Sequence, residues 1–451
     1  MQKLPAEGGA VTGTVLARRL LENTRNLQDL AREEQRSSIE IGPEGLRLHT
    51  TDRSDWHHPA NITIGPIPML DAPAERVTIS TEPNELALWA EHLTNANPDD
   101  AVRLTIDPAL DRRPGQNLNG RHEHLTCRSM RHETSVSIPG YRSTGTDRTG
   151  ADRERDDTEA DPRTCITMRT KCLLKLLSRL EEIIPDSTES GDHPVRLRLQ
   201  RTDDGRRLLE TALAGPYAYV IQTKPVRHGA GQDAETYIPW KTAHAWIRLT
   251  HGRPALLGGT TTVTDDAITT APPKTPGESE DAAPIHIQWR YADRCSKRFP
   301  NLDVLRASHA DTDSVTLDLR THETARTLDF VCRALENRGK GGTNSYKAAH
   351  EFVRWDFQAD EVRALNDRLR IPLSKLCETH NRDEYKHLGA MELHSSRLRR
   401  VVDFWLRHGP ASTISHLPVE FFMTTQRIRV RRTWGHGRAT ETTVQGSEHR
   451  S

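Results

Sequence analysis

The chain is 451 residues long, enough for two to four domains at the usual size of about 100 to 200 residues each. Its 34% hydrophobic content with only 5% aromatics is lean for one large core and suits several small ones, while 63 Lys and Arg against 63 Asp and Glu leave a formal net charge of zero. That balance excludes a protein that is basic as a whole, so any contact with nucleic acid needs positive charge gathered onto one surface.

The N-terminal segment predicts an amphipathic helix with Leu16, Leu20 and Leu27 on one side and Arg18, Arg25 and Arg32 on the other. A hairpin follows: Ile39-Glu40-Ile41, a Gly42-Pro43-Glu44-Gly45 turn, then Leu46-Arg47-Leu48. Val77 to Leu93 reads as strand then helix, and this helix is acidic, with Glu85 and Glu91 and no Lys or Arg. Leu125 to Ser129 and Val136 to Pro139 are the strands after it. Arg142 to Arg163, rich in Thr, Gly, Asp and Arg, has no apolar periodicity and reads as a linker.

From Met168 to Tyr219 the same pattern returns most clearly. Leu173, Leu174, Leu177 and Leu180 share one helical face and Lys171, Lys175 and Arg179 the other, followed by the alternating strand Val195 to Leu199, an Asp203-Asp204-Gly205 turn, and return strands. Tyr237 to Thr250 predicts a short helix with Lys241, His244 and Arg248 opposite Trp246 and Leu249. Ala271 to Pro284 reads as a Pro- and Glu-rich insertion. Val315 to Leu319 is the next strand, then a helix setting Leu328, Val331 and Leu335 against Arg326 and Arg333, a Gly-rich insertion from Asn337 to Tyr346, and the strand Phe352 to Phe357. From Met391 a last strand and helix place Leu398, Val402 and Trp405 opposite Arg400 and Arg407, and Gly435 to Ser451 reads as a disordered tail. The chain is thus built of six half-units in three pairs.

Any one basic helix face is ordinarily just a solvated surface. Five biased the same way in a neutral protein point instead to the phosphates of duplex DNA, which Lys and Arg at one-turn spacing contact without reading sequence. The high ratio of arginine to lysine, 52 to 11, fits a GC-rich genome and carries no functional weight.

Four stretches resemble the bacterial DNA sliding clamp family, the beta subunit of DNA polymerase III. These are Gly45 to Asp52, His124 to Tyr141, Arg298-Phe299-Pro300-Asn301-Leu302-Asp303-Val304-Leu305, and Ser314 to Leu335, in the family's order and spacing. The resemblance spans roughly residues 11 to 434. It implies an α+β fold of three repeated clamp-type domains, each of two strand-helix-strand half-units, with helices lining a ring channel and sheets outside. The domains would cover residues 1–141, 164–305 and 306–434, with 142–163 as linker.

The resemblance further implies that Arg18, Arg25, Lys171, Lys175, Arg179, Lys241, Arg248, Arg326, Arg333 and Arg400 face double-stranded DNA. It implies a pocket for linear peptides of DNA polymerase and the clamp loader, formed by Leu213, Gly215, Tyr217, Ala218, Pro300, Leu302, Val304, Leu305, Val430 and Arg432. Two stretches depart from the family there: Ala214-Gly215-Pro216-Tyr217 replaces its aspartate-glycine-histidine-arginine run, and Ile428 to Trp434 its methionine-proline ending. The family closes its ring as a head-to-tail homodimer, first domain against third, and carries out no catalysis. A cytoplasmic, nucleoid-associated protein without cofactors is expected.

Other chemistries find little support. Arg338 to Thr343 is glycine-rich but lacks phosphate-loop spacing, and no Gly-x-Ser-x-Gly elbow occurs. His122-Glu123-His124 and His57-His58 could ligate a metal, but 22 histidines make chance pairs common; His122 and His124 are expected at a loop mouth. Six scattered cysteines suit a reducing compartment, and no stretch approaches the roughly 20 apolar residues of a membrane span. The N-terminus, Met1-Gln2-Lys3-Leu4-Pro5, carries no long apolar run, so a soluble, unexported protein is expected. Two alternatives stay open: a clamp-like paralogue with altered partners, and a repeat-built enzyme or ligand-binding protein whose site lies in a loop.

Overall fold

The computed structural model describes residues 10–30, 37–52, 60–81, 86–88, 90–92, 99–108, 122–131, 135–142, 165–184, 194–203, 205–215, 218–226, 233–273, 286–291, 299–302, 314–339, 352–364, 369–378, 386, 388–408, 416–423, 426–434 and 438–445. Within them the order strand, helix, three strands recurs six times. The first copy is β1 (Val11–Leu16), α1 (Ala17–Leu30), β2 (Ser37–Gly42), β3 (Gly45–Asp52) and β4 (Ala60–Ile67). The second is β5 (Val77–Thr81), helical residues 86–88 and 90–92, β6 (Ala101–Pro108), β7 (His122–Ser129) and β8 (Ser135–Arg142). The third is β9 (Ile166–Arg169), α2 (Thr170–Ile183), β10 (Pro194–Arg201), β11 (Arg207–Ala214) and β12 (Ala218–Pro225).

The fourth copy is β13 (Ala234–Pro239), α3 (Trp240–Gly252), β14 (Thr260–Val263), β15 (Ala267–Ala271) and β16 (His286–Tyr291). The fifth is β17 (Ser314–Arg320), α4 (Thr321–Gly339), β18 (Phe352–Asp356), β19 (Glu361–Ala364) and β20 (Leu369–Pro372), extended by one helical turn α5 (Leu373–Leu376) and the two-residue β21 (Cys377–Glu378). The sixth is β22 (Ala390–His394), α6 (Ser395–His408), β23 (His416–Phe422), β24 (Arg427–Trp434) and β25 (Arg438–Gln445).

Within each pair of copies the first strands are exchanged. The last three strands of one copy form an antiparallel meander whose outer neighbour is the first strand of the other, giving β5-β2-β3-β4 and β1-β6-β7-β8, then β13-β10-β11-β12 and β9-β14-β15-β16, then β22-β18-β19-β20 and β17-β23-β24-β25. Three joints merge these four-stranded sheets edge to edge, the shortest between β8 and β5 at Ile79↔Arg142 and Ser80↔Tyr141. β4 pairs with β16 along six residues, from Gly65↔His286 to Ala60↔Tyr291, and β12 pairs with β25 from Ala218↔Val444 to Thr223↔Ala439.

The chain divides into two compact units, residues 1–173 with 245–294, and residues 174–244 with 295–451. The grouping follows the joined sheets rather than the sequence pairs, because the β4–β16 and β12–β25 joints each draw half of the middle pair to a flanking one. The first unit holds a 12-stranded sheet; the second holds a 9-stranded and a 4-stranded sheet. Among the described residues no sheet closes into a barrel.

Local chemistry explains the elements. In α2, Leu173, Leu174, Leu176, Leu177, Leu180 and Ile183 are all buried while Lys171 and Lys175 stay exposed, the stripe that a 3.6-residue period dictates. The β2–β3 turn closes on Gly45 at φ 124°, where a Cβ would stand 2.5 Å from the Ile67 carbonyl oxygen, so only glycine fits. In the first unit the buried hydroxyls of Thr170, Thr261 and Thr270 form a chain at 3.0 and 3.1 Å that ends on the Trp246 indole N–H at 2.9 Å, leaving that core without an orphaned polar group along this line. In the second unit Trp355 and Phe357 pack on Phe421 with ring centroids 5.0 and 5.5 Å apart.

Three expectations change. The segment from Gly435 onward contains β25 instead of a disordered tail: Thr440, Glu441, Thr442, Thr443 and Val444 are buried between β12 and β24. Tyr237 to Pro239 belongs to β13, paired with β10, and the following helix starts at Trp240. α4 runs through Asn337 to Gly339, so the Gly-rich stretch begins as helix. His122 and His124 lie at the start of β7, opposite Tyr141 and Pro139 and next to residues 109–121, which lie outside the described residues. Most of the expected linker and of the Pro- and Glu-rich insertion lies outside the described residues.

Candidate functional site

The ten basic residues divide by surroundings. In the first unit Arg18 and Arg25 are exposed on α1 and paired to carboxylates, Arg18 with Asp99 at 3.3 Å and Arg25 with Glu91 at 3.1 Å. Glu91 belongs to the acidic helical stretch, so that stretch neutralises its basic neighbour. Such surface pairs contribute about 0–1 kcal/mol and exchange readily for another anion. Lys171 and Arg248 are exposed.

In the second unit Lys175 and Arg326 are exposed, and Lys241 and Arg400 half-buried. Arg333 lies on α4 with its side chain outside the described set. Arg179 is half-buried: burial, then the neighbouring charge of Arg438, lower its pKa, while Glu182 works the other way. Two interactions here have no signature in the sequence. Arg399 on α6 bridges Asp329 on α4 at 2.8 Å and Asp403 at 3.5 Å, and Glu182 on α2 accepts from His408 on α6 at 2.7 Å with Arg407 at 3.5 Å.

An apolar cluster lies on the second unit's nine-stranded sheet. Ala212 and Ala214 on β11 and Tyr219 and Ile221 on β12 share one face by their cross-strand pairs, Ala212↔Ile221 and Ala214↔Tyr219, and they pack with Leu302 and the partly buried Phe299. Charge frames it. The Arg196 guanidinium stacks 5.0 Å over the Phe299 ring and pairs with the buried Glu210 at 2.5 Å, while the Tyr219 hydroxyl donates to the buried Glu441 at 2.9 Å. Burial, then the Glu441 charge, push the Tyr219 hydroxyl pKa well up. Tyr237, 5.7 Å from Phe299 between centroids and bonded to Glu235, is pushed up to about 12 by burial first and Glu235 second.

Of the ten residues expected to form a pocket, the structure places Leu302 in this cluster, with Pro300 half-buried beside it in sequence and Gly215 at the β11–β12 turn, its N–H bonded to the Ala218 carbonyl at 2.7 Å. Leu213, Ala218, Val430 and Arg432 lie on the opposite face. Gln222, which alternates with Tyr219 and Ile221, donates to the Leu176 carbonyl of α2 at 3.4 Å, and Thr442, paired with Val430, accepts from Trp405 of α6 at 3.1 Å, so that face is turned to the helices. Tyr217, Val304 and Leu305 lie outside the described residues. The further members Ala212, Ala214, Tyr219 and Ile221 are hidden in the sequence because β11 is buried on both faces from Leu209 to Ala214, which erases the alternation that would show which parity faces out.

Among the described residues no three His, Cys, Asp or Glu side chains are grouped to hold a metal ion, and no helix is long and apolar enough to cross a membrane. His57 and His58 lie outside them. Cys127, fully buried, has its thiol pKa pushed up to about 12 by burial, the opposite of what a nucleophile needs.

Six strand-helix-strands copies with exchanged first strands, joined edge to edge, define the fold of DNA sliding clamps. Solved structures similar to this chain include DNA polymerase III beta subunits. The clamp of Pseudomonas aeruginosa bound to griselimycin is 11% identical, covering 98% of this chain and 100% of that one with a TM-score of 0.56. The beta subunit of Streptococcus pyogenes is 8% identical at 97% and 100% coverage with a TM-score of 0.56, and the C. crescentus beta sliding clamp 12% identical at 98% and 99% with a TM-score of 0.54. No family model matches the chain, and no curated protein sequence does.

Proposed function

We propose that this chain is a sliding clamp: a head-to-tail homodimer of three-domain subunits that encircles duplex DNA and tethers DNA polymerase and other replication or repair proteins. It acts without catalytic chemistry or cofactor, among the DNA of the cytoplasm. The observation that carries this reading is an unfinished symmetry. Three meanders end on an outer strand, β4, β12 and β20, and three others on β16, β25 and β8. β4 joins β16 and β12 joins β25, which leaves β20 and β8 as the remaining pair.

Both strands have the features of an open joint. Among the described residues β20 pairs with β19 alone, and β8, beyond its pairing with β7, meets β5 at Ile79↔Arg142 and Ser80↔Tyr141 alone. Leu369 and Ile371 of β20 are half-exposed, whereas the equivalent Ile62 and Ile64 of β4 are buried beneath their joint. An edge with unpaired backbone groups and half-covered apolar side chains is completed by another strand, and β8 of a second copy is the one the repeat supplies. Two such joints close a ring of six domains.

The basic helices then face the duplex. Contacts to phosphates alone, weak and exchangeable, hold the ring without stopping it, and retention comes from topological linkage instead of affinity. The outer apolar cluster is the place for linear peptides of polymerase and clamp loader, which bury a few apolar side chains against the partly exposed Phe299 and Pro300 at its edge. The buried Glu210 and Glu441 at its rim favour a second reading in which the clamp serves an altered partner set.

The test is threading. Protein is incubated with linear duplex, both DNA ends are blocked, and salt is raised to several tenths molar. A linked ring stays on blocked DNA and runs off unblocked DNA; equal loss from both contradicts encirclement.

A further inference from the structure

One aromatic ring is left in the open on a helix that is otherwise packed. Phe330 on α4 is 59% exposed, the one aromatic among the large apolar side chains that the described residues leave exposed, and that area forgoes the gain of burial. Thr321, Thr324, Leu328 and Val331 of the same helix are buried, so the stripe of His322, Arg326 and Phe330, one turn apart, points away from the core. The repeat gives this stripe a counterpart. α2 begins at Thr170 after Arg169 of β9, and α4 at Thr321 after Arg320 of β17, so Lys171, Lys175 and Arg179 occupy the positions of His322, Arg326 and Phe330. A ring stands where α2 has its last cation.

The surroundings of the ring suit a nucleotide. Arg326, one turn earlier, is exposed, and the carboxylate next in sequence to the ring, Asp329, is held by Arg399 of α6 at 2.8 Å, which also meets Asp403 at 3.5 Å. Glu323, exposed on the same helix, sits in its first turn, where the helix dipole offsets it. A ring face with a guanidinium one turn away offers stacking to a base and an ion pair to its phosphate, the combination by which single strands are held. A protein partner is a poor match. Leu406, the exposed apolar side chain of the neighbouring α6, lies two turns from Arg399, roughly 10 Å along the axis, so it does not extend the ring into an apolar patch. A paired duplex presents base edges and phosphates but no free base faces along its length, which leaves the ring nothing to stack on there.

We propose that Phe330, with Arg326, forms a stacking site for an unpaired base of single-stranded DNA. This rests on the reading that α4 faces DNA. It adds a discrimination to that surface: lysines and arginines take any phosphate, whereas Phe330 tells an unpaired nucleotide from a paired one.

Two labelled oligonucleotides of equal length are the probes, a thymidine strand and a strand of abasic sugar-phosphates, titrated with the full chain by fluorescence anisotropy. The unmodified chain should bind the thymidine strand more tightly, by at least about fivefold. Phe330→Ala should remove that preference and leave the abasic strand, an intact duplex and the melting temperature unaffected, while Phe330→Trp, whose ring also stacks, should keep it. Arg326→Met should weaken both strands alike and lower the salt slope by roughly 0.7, the value for one phosphate of a single strand. Equal binding of the two strands by the unmodified chain overturns the site and needs no variant to fold. So does a preference that survives Phe330→Ala, or a loss that strikes the abasic strand equally. A lower solution mass of Phe330→Ala with its strand preference intact identifies a second copy as the occupant of the ring and likewise overturns the site. Failure of the encircling reading shows separately, as equal loss from blocked and unblocked duplex while the base preference persists, and leaves the site standing.

Discussion

The indole N–H of Trp405 on α6 donates to the hydroxyl of Thr442 on β25 at 3.1 Å, both side chains being buried. That bond ties β25 to α6, and β12 and β24 hold the strand on either side. Thr442→Val would leave the indole donor buried without its acceptor and cost about 1–3 kcal/mol. Truncation after Trp434 removes the strand altogether and opens the β12 edge, so the shortened chain should melt far lower or fail to fold. Thermal melting of both variants is the check, and a truncation that melts like the full chain would return the segment to the status of a tail.

Exposed lysines on α2 provide the cleanest test of the DNA-facing surface. Lys171→Glu with Lys175→Glu changes two exposed charges and leaves the core of the helix, Leu173 and Leu177, untouched. Duplex retention should fall, with a salt slope lowered by roughly two if each lysine neutralises one phosphate, and the melting temperature should stay within a few degrees. Arg179 is left in place, since it is half-buried and charge-coupled to Glu182 and Arg438. Unchanged retention would count against the channel assignment of α2.

Glu40 gives the fold an acid-sensitive hairpin. Its carboxylate lies 3.7 Å from His49, 3.5 Å from Arg76 and 3.3 Å from Arg47; the influence of His49 is largest, burial opposes it, and the three charges together hold the pKa below the ordinary 4.5. A folded-state pKa below the unfolded one means that the unfolded chain binds more protons over that interval. The stabilisation is therefore complete above about pH 4.5 and disappears as pH falls through the lowered value. Glu40→Gln should lower stability at neutral pH and flatten its decline below that point. Urea midpoints measured across the acid range decide it, and a parallel decline in both proteins would contradict the assignment.

Tyr219→Phe probes the outer face. The variant removes the donor that Glu441 accepts from at 2.9 Å, leaving a buried carboxylate with weaker support, and should cost about 1–3 kcal/mol in denaturant unfolding. Phe299→Ala, which removes the ring under the Arg196 guanidinium, should weaken capture of clamp-binding peptides while leaving the mass of the assembly unchanged. Equal peptide capture before and after would detach this cluster from partner binding.

Sequence makes much of this fold legible because its signals are local. The stripe of Leu173, Leu177 and Leu180, the Gly42 to Gly45 turn and the alternation of Val195 to Leu199 each report their own element. The exchange of first strands is not legible, since β9 and β14 or β17 and β23 meet only across long separations. β25 is hidden because Arg438-Ala439-Thr440-Glu441-Thr442-Thr443 has almost no hydrophobic content; it is buried through pairing on both edges and through hydroxyl bonds. The outer cluster differs from its expected membership by one residue of parity along a strand apolar on both faces, and that single step turns Leu213 and Val430 to the helices and puts Ala212 and Tyr219 in their place.

The mass of the protein in solution tests the central claim most directly. Light scattering across a concentration series should give twice the 50.9 kDa of the chain, and Ile371→Asp on the open edge of β20 should shift it to the single-chain mass at unchanged helical content. A strict monomer at all concentrations would contradict the closed ring and with it encirclement of DNA.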